Sequence, residues 1–157
     1  MKVGIIGGTG GMGKRFALRW SQNHDVIIGS RDATRASESA VEITNMAKEA
    51  FGEIKGTISG NDNVSVAKES DVLILSIPYE NIDSVCSGIL SEIKDSCVVV
   101  SPIVPMTKTD VGFECVSIKD NKPFSYKLVA NHMKDKSKLV SAFHVISEKK
   151  LINPTLE

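Results

Sequence analysis

The chain has 157 residues, 41% hydrophobic and 24% charged, the size and make-up of one globular domain with a real core. Nineteen basic residues balance nineteen acidic ones, so no net field draws nucleic acid or an anionic membrane, and there is neither a basic stripe nor an aromatic platform for nucleic acid. The longest apolar runs are strand-sized, Met1-Lys2 leads into the first without a signal-peptide core, and Cys86, Cys97 and Cys115 match neither a disulfide framework nor a zinc spacing, so a cytoplasmic chain without a metal is expected.

Val3, Ile5 and Ile6 predict a buried strand, and Gly7-Gly8-Thr9-Gly10-Gly11-Met12-Gly13 follows at once. Gly8, Gly10 and Gly13 have the G-x-G-x-x-G spacing, and Gly7, Gly10 and Gly13 the looser G-x-x-G-x-x-G. Glycines serve here because the turn wants positive φ, the backbone must approach a pyrophosphate, and the next helix must pack flush on its strand. Such a loop offers several N–H groups and a helix's positive end to a phosphate. Met12, Phe16, Ala17 and Trp20 then share one helical face while Lys14, Arg15 and Arg19 point elsewhere, so the loop stands between a strand and a helix as the motif requires.

A second strand over 25–29 ends in Gly29-Ser30-Arg31-Asp32. NAD wants a carboxylate near this point for its ribose hydroxyls, whereas NADP carries a 2′-phosphate there and wants donors and positive charge. Ser30 and Arg31 are donors, Arg35 follows one helical turn later, and Thr9 can approach from the glycine loop. Asp32 reads as the N-cap of the next helix, which reconciles its carboxylate with NADP. The alternative here is that Ser30 and Asp32 only cap a helix and the arginines are surface charges.

Ala36, Ala40, Ile43, Ala47 and Ala50 predict a helix packed closely on a sheet and stopped by Phe51-Gly52. A short third strand over 56–59 and a short helix over 61–69 lead to a wholly apolar strand over 72–76. That strand delivers Ser76-Ile77-Pro78-Tyr79 to the carboxyl edge, where open parallel sheets bind ligands. Ile82, Val85, Cys86, Ile89, Leu90 and Ile93 mark an amphipathic helix, with Cys86 in the core and not a nucleophile. A fifth strand over 97–101 runs into Pro102-Ile103-Val104-Pro105-Met106, a stiff apolar segment on which a nicotinamide ring can lie.

Residues 107–122 have no clear period and suggest at most a strand over 113–118. Pro123 opens a helix with Phe124, Leu128, Val129 and His132 along one side, and a sixth strand over 138–143 brings Ala142, Phe143 and His144 to the carboxyl edge. His144 reads equally as a polar neighbour of reacting rings or as a histidine satisfied by backbone; His24 and His132 read as surface or packing residues. Together these elements give an α/β, Rossmann-type doubly wound parallel sheet in three layers, α/β/α, with residues 1–157 as one NADP-binding domain.

The combination of Gly7 to Gly13, Gly29-Ser30-Arg31, Ser76-Ile77-Pro78-Tyr79, Ser101-Pro102-Ile103-Val104-Pro105 and Ser141-Ala142-Phe143-His144 resembles the coenzyme F-420-dependent NADP oxidoreductases, in order and spacing. The resemblance implies hydride transfer between NADP(H) and the deazaflavin F-420, with the two rings stacked in a cleft and no metal. By matching position, Thr9, Gly10, Gly11 and Met12 would hold the pyrophosphate and Ser30, Arg31 and Arg35 the 2′-phosphate. Tyr79, Val104 and Met106 would wall the cofactor, with Ser76 at the same edge, and His144 and Ile146 would border the nicotinamide. Such a transfer needs proximity and orientation more than an acid or base.

Family members continue past the position of Glu157 with strands and a helical segment that close the deazaflavin site and contribute to a dimer. The resemblance therefore implies that these residues match the amino-terminal nucleotide-binding part, with pairing into a homodimer left open. A noncatalytic NADP(H)-binding module, or an NADPH-dependent reductase of another acceptor such as a flavin, fits the same residues.

Overall fold

The computed structural model describes residues 1–116 and 124–153. Six parallel strands form its sheet: β1 (Lys2–Ile6), β2 (Asp25–Ser30), β3 (Ile58–Asp62), β4 (Val72–Leu75), β5 (Val98–Ser101) and β8 (Leu139–Ser141). Their order is β3-β2-β1-β4-β5-β8. The chain steps outward from β1 to β3, then crosses back to lay β4, β5 and β8 on the other side of β1. The order reverses between β1 and β4, so the crevice for a ligand opens above the carboxyl ends of those two strands.

Period-two alternation assigns each strand's side chains to two apolar layers. Val3, Ile5, Val26, Ile28, Ile74 and Val100 face α1 (Gly11–Trp20) and α2 (Ala33–Phe51), with Leu151 of the short α6 (Glu148–Leu151) in the same cluster. Ile6, Ile27, Leu73, Leu75 and Val99 face α3 (Asn63–Glu69), α4 (Ile82–Ile89) and α5 (Ser125–Asn131). The α/β, doubly wound, three-layer arrangement expected from the sequence is therefore the one observed. The close helix packing expected from the alanines of α2 is also present: a Cβ on Gly60 would lie 2.2 Å from the Ala36 carbonyl carbon.

Several boundaries differ from the sequence expectation, for local reasons. The third strand spans Ile58–Asp62 and not 56–59. Gly56 N–H donates to the Ser21 carbonyl at 2.9 Å, and Thr57 binds the Asp25 carboxylate through its N–H and hydroxyl, so these residues secure the preceding turn before the ladder begins. The strand then continues through Gly60-Asn61-Asp62, poor strand formers by propensity, because the glycine admits α2. The following helix starts at Asn63, not 61, since Asp62 is its N-cap. The helix through Cys86 ends at Ile89; Ile93 packs on the same core from the turn beyond.

The stretch without a period contains an antiparallel hairpin, β6 (Met106–Thr109) and β7 (Gly112–Cys115), so the strand expected over 113–118 ends earlier and is paired. Residues 117 and 118, and Pro123 as a helix opener, lie outside the described residues. Phe124 is the N-cap of α5 and is exposed, whereas Val129 is buried and His132 binds the Asp83 carboxylate through Nε2 at 2.8 Å. The last strand stops at Ser141 and not at 143, because Phe143 takes φ 68°, incompatible with a continuing ladder. No helix of the described residues is long and apolar enough to cross a membrane.

Candidate functional site

The glycine loop forms the floor of the crevice. Gly7 has φ 74°, and a Cβ on it would lie 2.2 Å from the Ser76 carbonyl oxygen, so only glycine lets the ends of β1 and β4 close up here. Ser76 N–H donates to the Ile6 carbonyl at 2.9 Å and fixes the same junction. Gly10 N–H closes the turn onto the Gly7 carbonyl at 3.0 Å. A Cβ on Gly13 would lie 2.5 Å from that carbonyl oxygen and 2.8 Å from the Gly8 Cα, both backbone atoms. Gly13 thus sets how low α1 sits on the loop.

The N-cap of α1 is Gly10, which has no side chain to cap the helix, and the first turn contains no acidic residue. The N–H groups at Gly11 and Met12 are therefore without a side-chain acceptor from the cap, at the helix's positive end. Lys14 lies one turn into α1, but its Nζ binds Glu42 at 2.6 Å and is directed to α2. The Glu148 carboxylate approaches from α6: its Oε2 lies 3.0 Å from where a Cβ on Gly11 would stand.

At the end of β2, Ser30 is half-buried while Arg31 and Arg35 are exposed at the start of α2. Asp32 accepts from the N–H groups of Thr34 at 2.8 Å and Arg35 at 3.4 Å, so it is the N-cap that the sequence suggests. One oxygen of that carboxylate, Oδ1, is thereby engaged by its own helix.

The other wall comes from the ends of β4, β5 and β8. Tyr79 begins a single 3-10 turn after Pro78, and Val104 and Met106 lead from β5 into β6, with the Met106 N–H donating to the Val104 carbonyl at 2.8 Å. Beyond β8, the Ile146 N–H donates to the Phe143 carbonyl at 3.3 Å, so exposed His144 sits in a turn while Ile146 packs in the same apolar cluster as Met12. Phe143 holds its left-handed backbone because its ring packs edge-on against Phe16 and Trp20, with centroids 5.4 and 5.8 Å apart.

Comparison with known proteins places this geometry. The family model described as NADP oxidoreductase, coenzyme F-420-dependent, matches residues 2–105. An F-420-dependent NADP reductase from Methanocaldococcus jannaschii is 37% identical over 143 residues, covering 91% of this chain and 62% of the relative. The chain belongs to the coenzyme F-420-dependent NADP oxidoreductase family.

A second member of the family, the F-420-dependent NADP reductase of Methanothermobacter marburgensis, is 29% identical over 99% of this chain and 68% of its own length. Two solved structures share the fold. One, from Arthrobacter sp. FB24 and provisionally assigned as an F-420-dependent NADP reductase, has a TM-score of 0.69 at 14% identity, over 95% of this chain and 64% of that one. The other, glycerol-3-phosphate dehydrogenase of Saccharomyces cerevisiae, has a TM-score of 0.64 at 12% identity, over 97% and 44% of the two chains. The chain spans less than two thirds of the length of the Methanocaldococcus family member.

Relative to the family's expected site, the fold gathers the sequence-derived residues in two groups. Gly8, Thr9, Gly10, Gly11, Met12 and Gly13 lie at the switch point, with Ser76 adjoining and the 143–146 turn brought up by α6. Ser30, Arg31 and Arg35 lie across β1 at the end of β2. Tyr79, Val104 and Met106 sit above β4 and β5. Sequence reasoning missed Glu148, whose approach to Gly11 depends on Leu151 docking in the core, and Asn63, whose amide lies against Gly29. Neither has a motif; only the spacing of Asp62 to Ser65 signalled a capped helix there.

The three cysteines stand apart from this chemistry. Cys86 and Cys97 are buried, which pushes their thiols up to about 12 and about 11, and Cys115 is exposed on β7. Among the described residues no cluster of three or more His, Cys, Asp or Glu could hold a metal ion. A cavity of about 200 Å³, floored by Leu90, Ile93, Cys97 and Met133, lies at the amino edge of the sheet, away from the glycine loop.

Proposed function

We propose that this chain is the nucleotide-binding part of an oxidoreductase that moves hydride between NADP(H) and the deazaflavin coenzyme F-420. The observation that carries the choice of NADP over NAD is the company at the end of β2: Asp32 caps α2 through its Oδ1, which accepts from the N–H groups of Thr34 and Arg35, and Ser30 and the exposed Arg31 and Arg35 stand around it as donors for a ribose 2′-substituent. All three donate hydrogen bonds, and two are permanently charged.

The cradle fits a dinucleotide on the same terms. Thr9, Gly11 and Met12 present backbone N–H groups and the start of α1 to a pyrophosphate, Gly10 shapes the turn by donating its own N–H to Gly7, and neither Gly10 nor Gly11 puts a side chain in the way. Tyr79, Val104 and Met106 supply an apolar wall, and His144 and Ile146 a second border, on which planar rings can be held parallel. The bound nicotinamide supplies a hydride at its C4. The protein's contribution is to fix ring separation and orientation and to exclude water, and the transfer does not require a dedicated acid or base. His144 borders the rings as a polar neighbour in this reading.

Replacing Arg31 with Ala tests the assignment. NADPH affinity should fall about 10- to 100-fold, the value of one charge-assisted contact to phosphate, while NADH affinity changes by less than about threefold. Equal losses for both nucleotides would place Arg31 in the support of the fold or the adenine, and would remove the 2′-phosphate assignment.

A further inference from the structure

Asn63 is the first residue of α3, where β3 ends beside β2, and its amide oxygen is buried without a hydrogen-bond partner among the described residues. A buried amide acceptor without a donor is uncommon and unfavourable. The backbone at Asn63 is nevertheless held in a fixed place. Asp62 caps α3, accepting from the N–H groups of Val64 and Ser65 at 3.0 Å each and from the Ser65 hydroxyl at 2.6 Å. The β2–β3 register pairs Ser30 with Asp62, so Asn63 follows directly beside the proposed phosphate donor Ser30.

Gly29 makes the room. A Cβ there would lie 2.7 Å from Asn63 Oδ1, so any other residue at 29 would push the amide away from the end of β2. Among the described residues no hydrogen bond to Oδ1 explains keeping an amide at this spot. The adenosine ribose of the dinucleotide, laid between Ser30 and Arg31, offers what the amide lacks: a hydroxyl that donates and a phosphate that accepts.

We propose that Asn63 is a specificity-determining residue of the adenosine ribose subsite, its Oδ1 accepting from the ribose 3′-hydroxyl and its NH2 donating to the 2′-phosphate. The proposal rests on the NADP(H) reading. A turn about the Cβ–Cγ bond presents both amide atoms, and Ser30, Arg31 and Arg35 reach the phosphate from the β2 side while Asn63 reaches it from the β3 side. The amide is the appropriate group because it both donates and accepts while neutral. A carboxylate of the same shape would repel the phosphate and accept from two ribose hydroxyls, which favours NAD.

Two variants of the full chain, Asn63→Ala and Asn63→Asp, separate this role from a structural one. Fluorescence titration should show Asn63→Ala weakening NADPH about tenfold and NADH by no more than about threefold. Asn63→Asp should weaken NADPH further, by about 100-fold, while NADH binding is unchanged or tighter. Because the amide oxygen gives up no hydrogen bond among the described residues, both variants should melt within a few degrees of the original. NADPH and NADH affinities that move together, or do not move, overturn the proposal. If the unmodified chain prefers NADPH and the variants keep that preference, Asn63 alone is removed; if the unmodified chain binds neither nucleotide, the NADP(H) reading falls and takes Asn63 with it.

Discussion

At the residue scale, the same side-chain type does opposite things according to where the fold leaves it. Cys86 and Cys97 sit in apolar surroundings with relative exposures of 0%, and burial raises their thiols to about 12 and about 11, so they stay protonated where an ordinary thiol is half ionised. Cys115 is exposed on the hairpin. An alkylating reagent at about pH 8.5 should therefore add one label to the native chain, on Cys115, and three after denaturation, as read by intact and peptide mass. Two or more labels on the native chain would contradict the burial. Cys86 was legible as a core residue from its place in an apolar helical stripe. Phe143 was not legible: nothing in its neighbours announces a left-handed backbone, which is set by its ring packing on Phe16 and Trp20 about 125 positions away in the chain.

At the element scale, legibility followed how strongly local pattern and tertiary packing agree. The glycine loop and α1 were readable because each glycine answers a local demand. Gly13 shows it most sharply: its missing Cβ would meet the Gly7 carbonyl oxygen at 2.5 Å, a backbone atom that cannot step aside. Gly13→Ala should lift the start of α1 off the loop, lower the melting temperature by several degrees and weaken NADPH and NADH alike by more than about tenfold. Unchanged binding in a folded Gly13→Ala chain would show that the loop does not hold the pyrophosphate.

The third strand was misplaced because Gly60-Asn61-Asp62 disfavour a strand by propensity and form one only through α2 pressing on Gly60. The hairpin went unseen for a different reason. Its strands are four residues each, with Met106 and Thr107 of one and all of Gly112–Cys115 of the other exposed, so no buried face imposes alternation there. Their two-residue connection, Asp110-Val111 before Gly112 at φ 136°, was the turn signal available.

At the scale of the whole molecule, strand order does what no single motif can. The arrangement β3-β2-β1-β4-β5-β8 puts the glycine loop at the reversal, the proposed 2′-phosphate donors Ser30, Arg31 and Arg35 on one side, and Tyr79, Val104, Met106 and the 143–146 turn on the other. In the proposed reading, a nucleotide extended across that edge places its adenosine over β2 and its nicotinamide toward β5 and β8. The order was foreseeable from alternating strands and helices, because parallel crossovers keep one hand and leave few topologies. The adenosine side was largely readable, since charge and capping spell it out in Ser30, Arg31, Asp32 and Arg35. Asn63 and Glu148 were not, because each reaches the edge through an element whose position only the assembled sheet determines.

The claim that this edge is built for NADP(H) is tested most directly by titrating the 157-residue chain with NADPH and with NADH, following nucleotide fluorescence in the same buffer. NADPH should bind about 100-fold tighter, from the donors gathered around one phosphate. Equal affinities, or a preference for NADH, would contradict it.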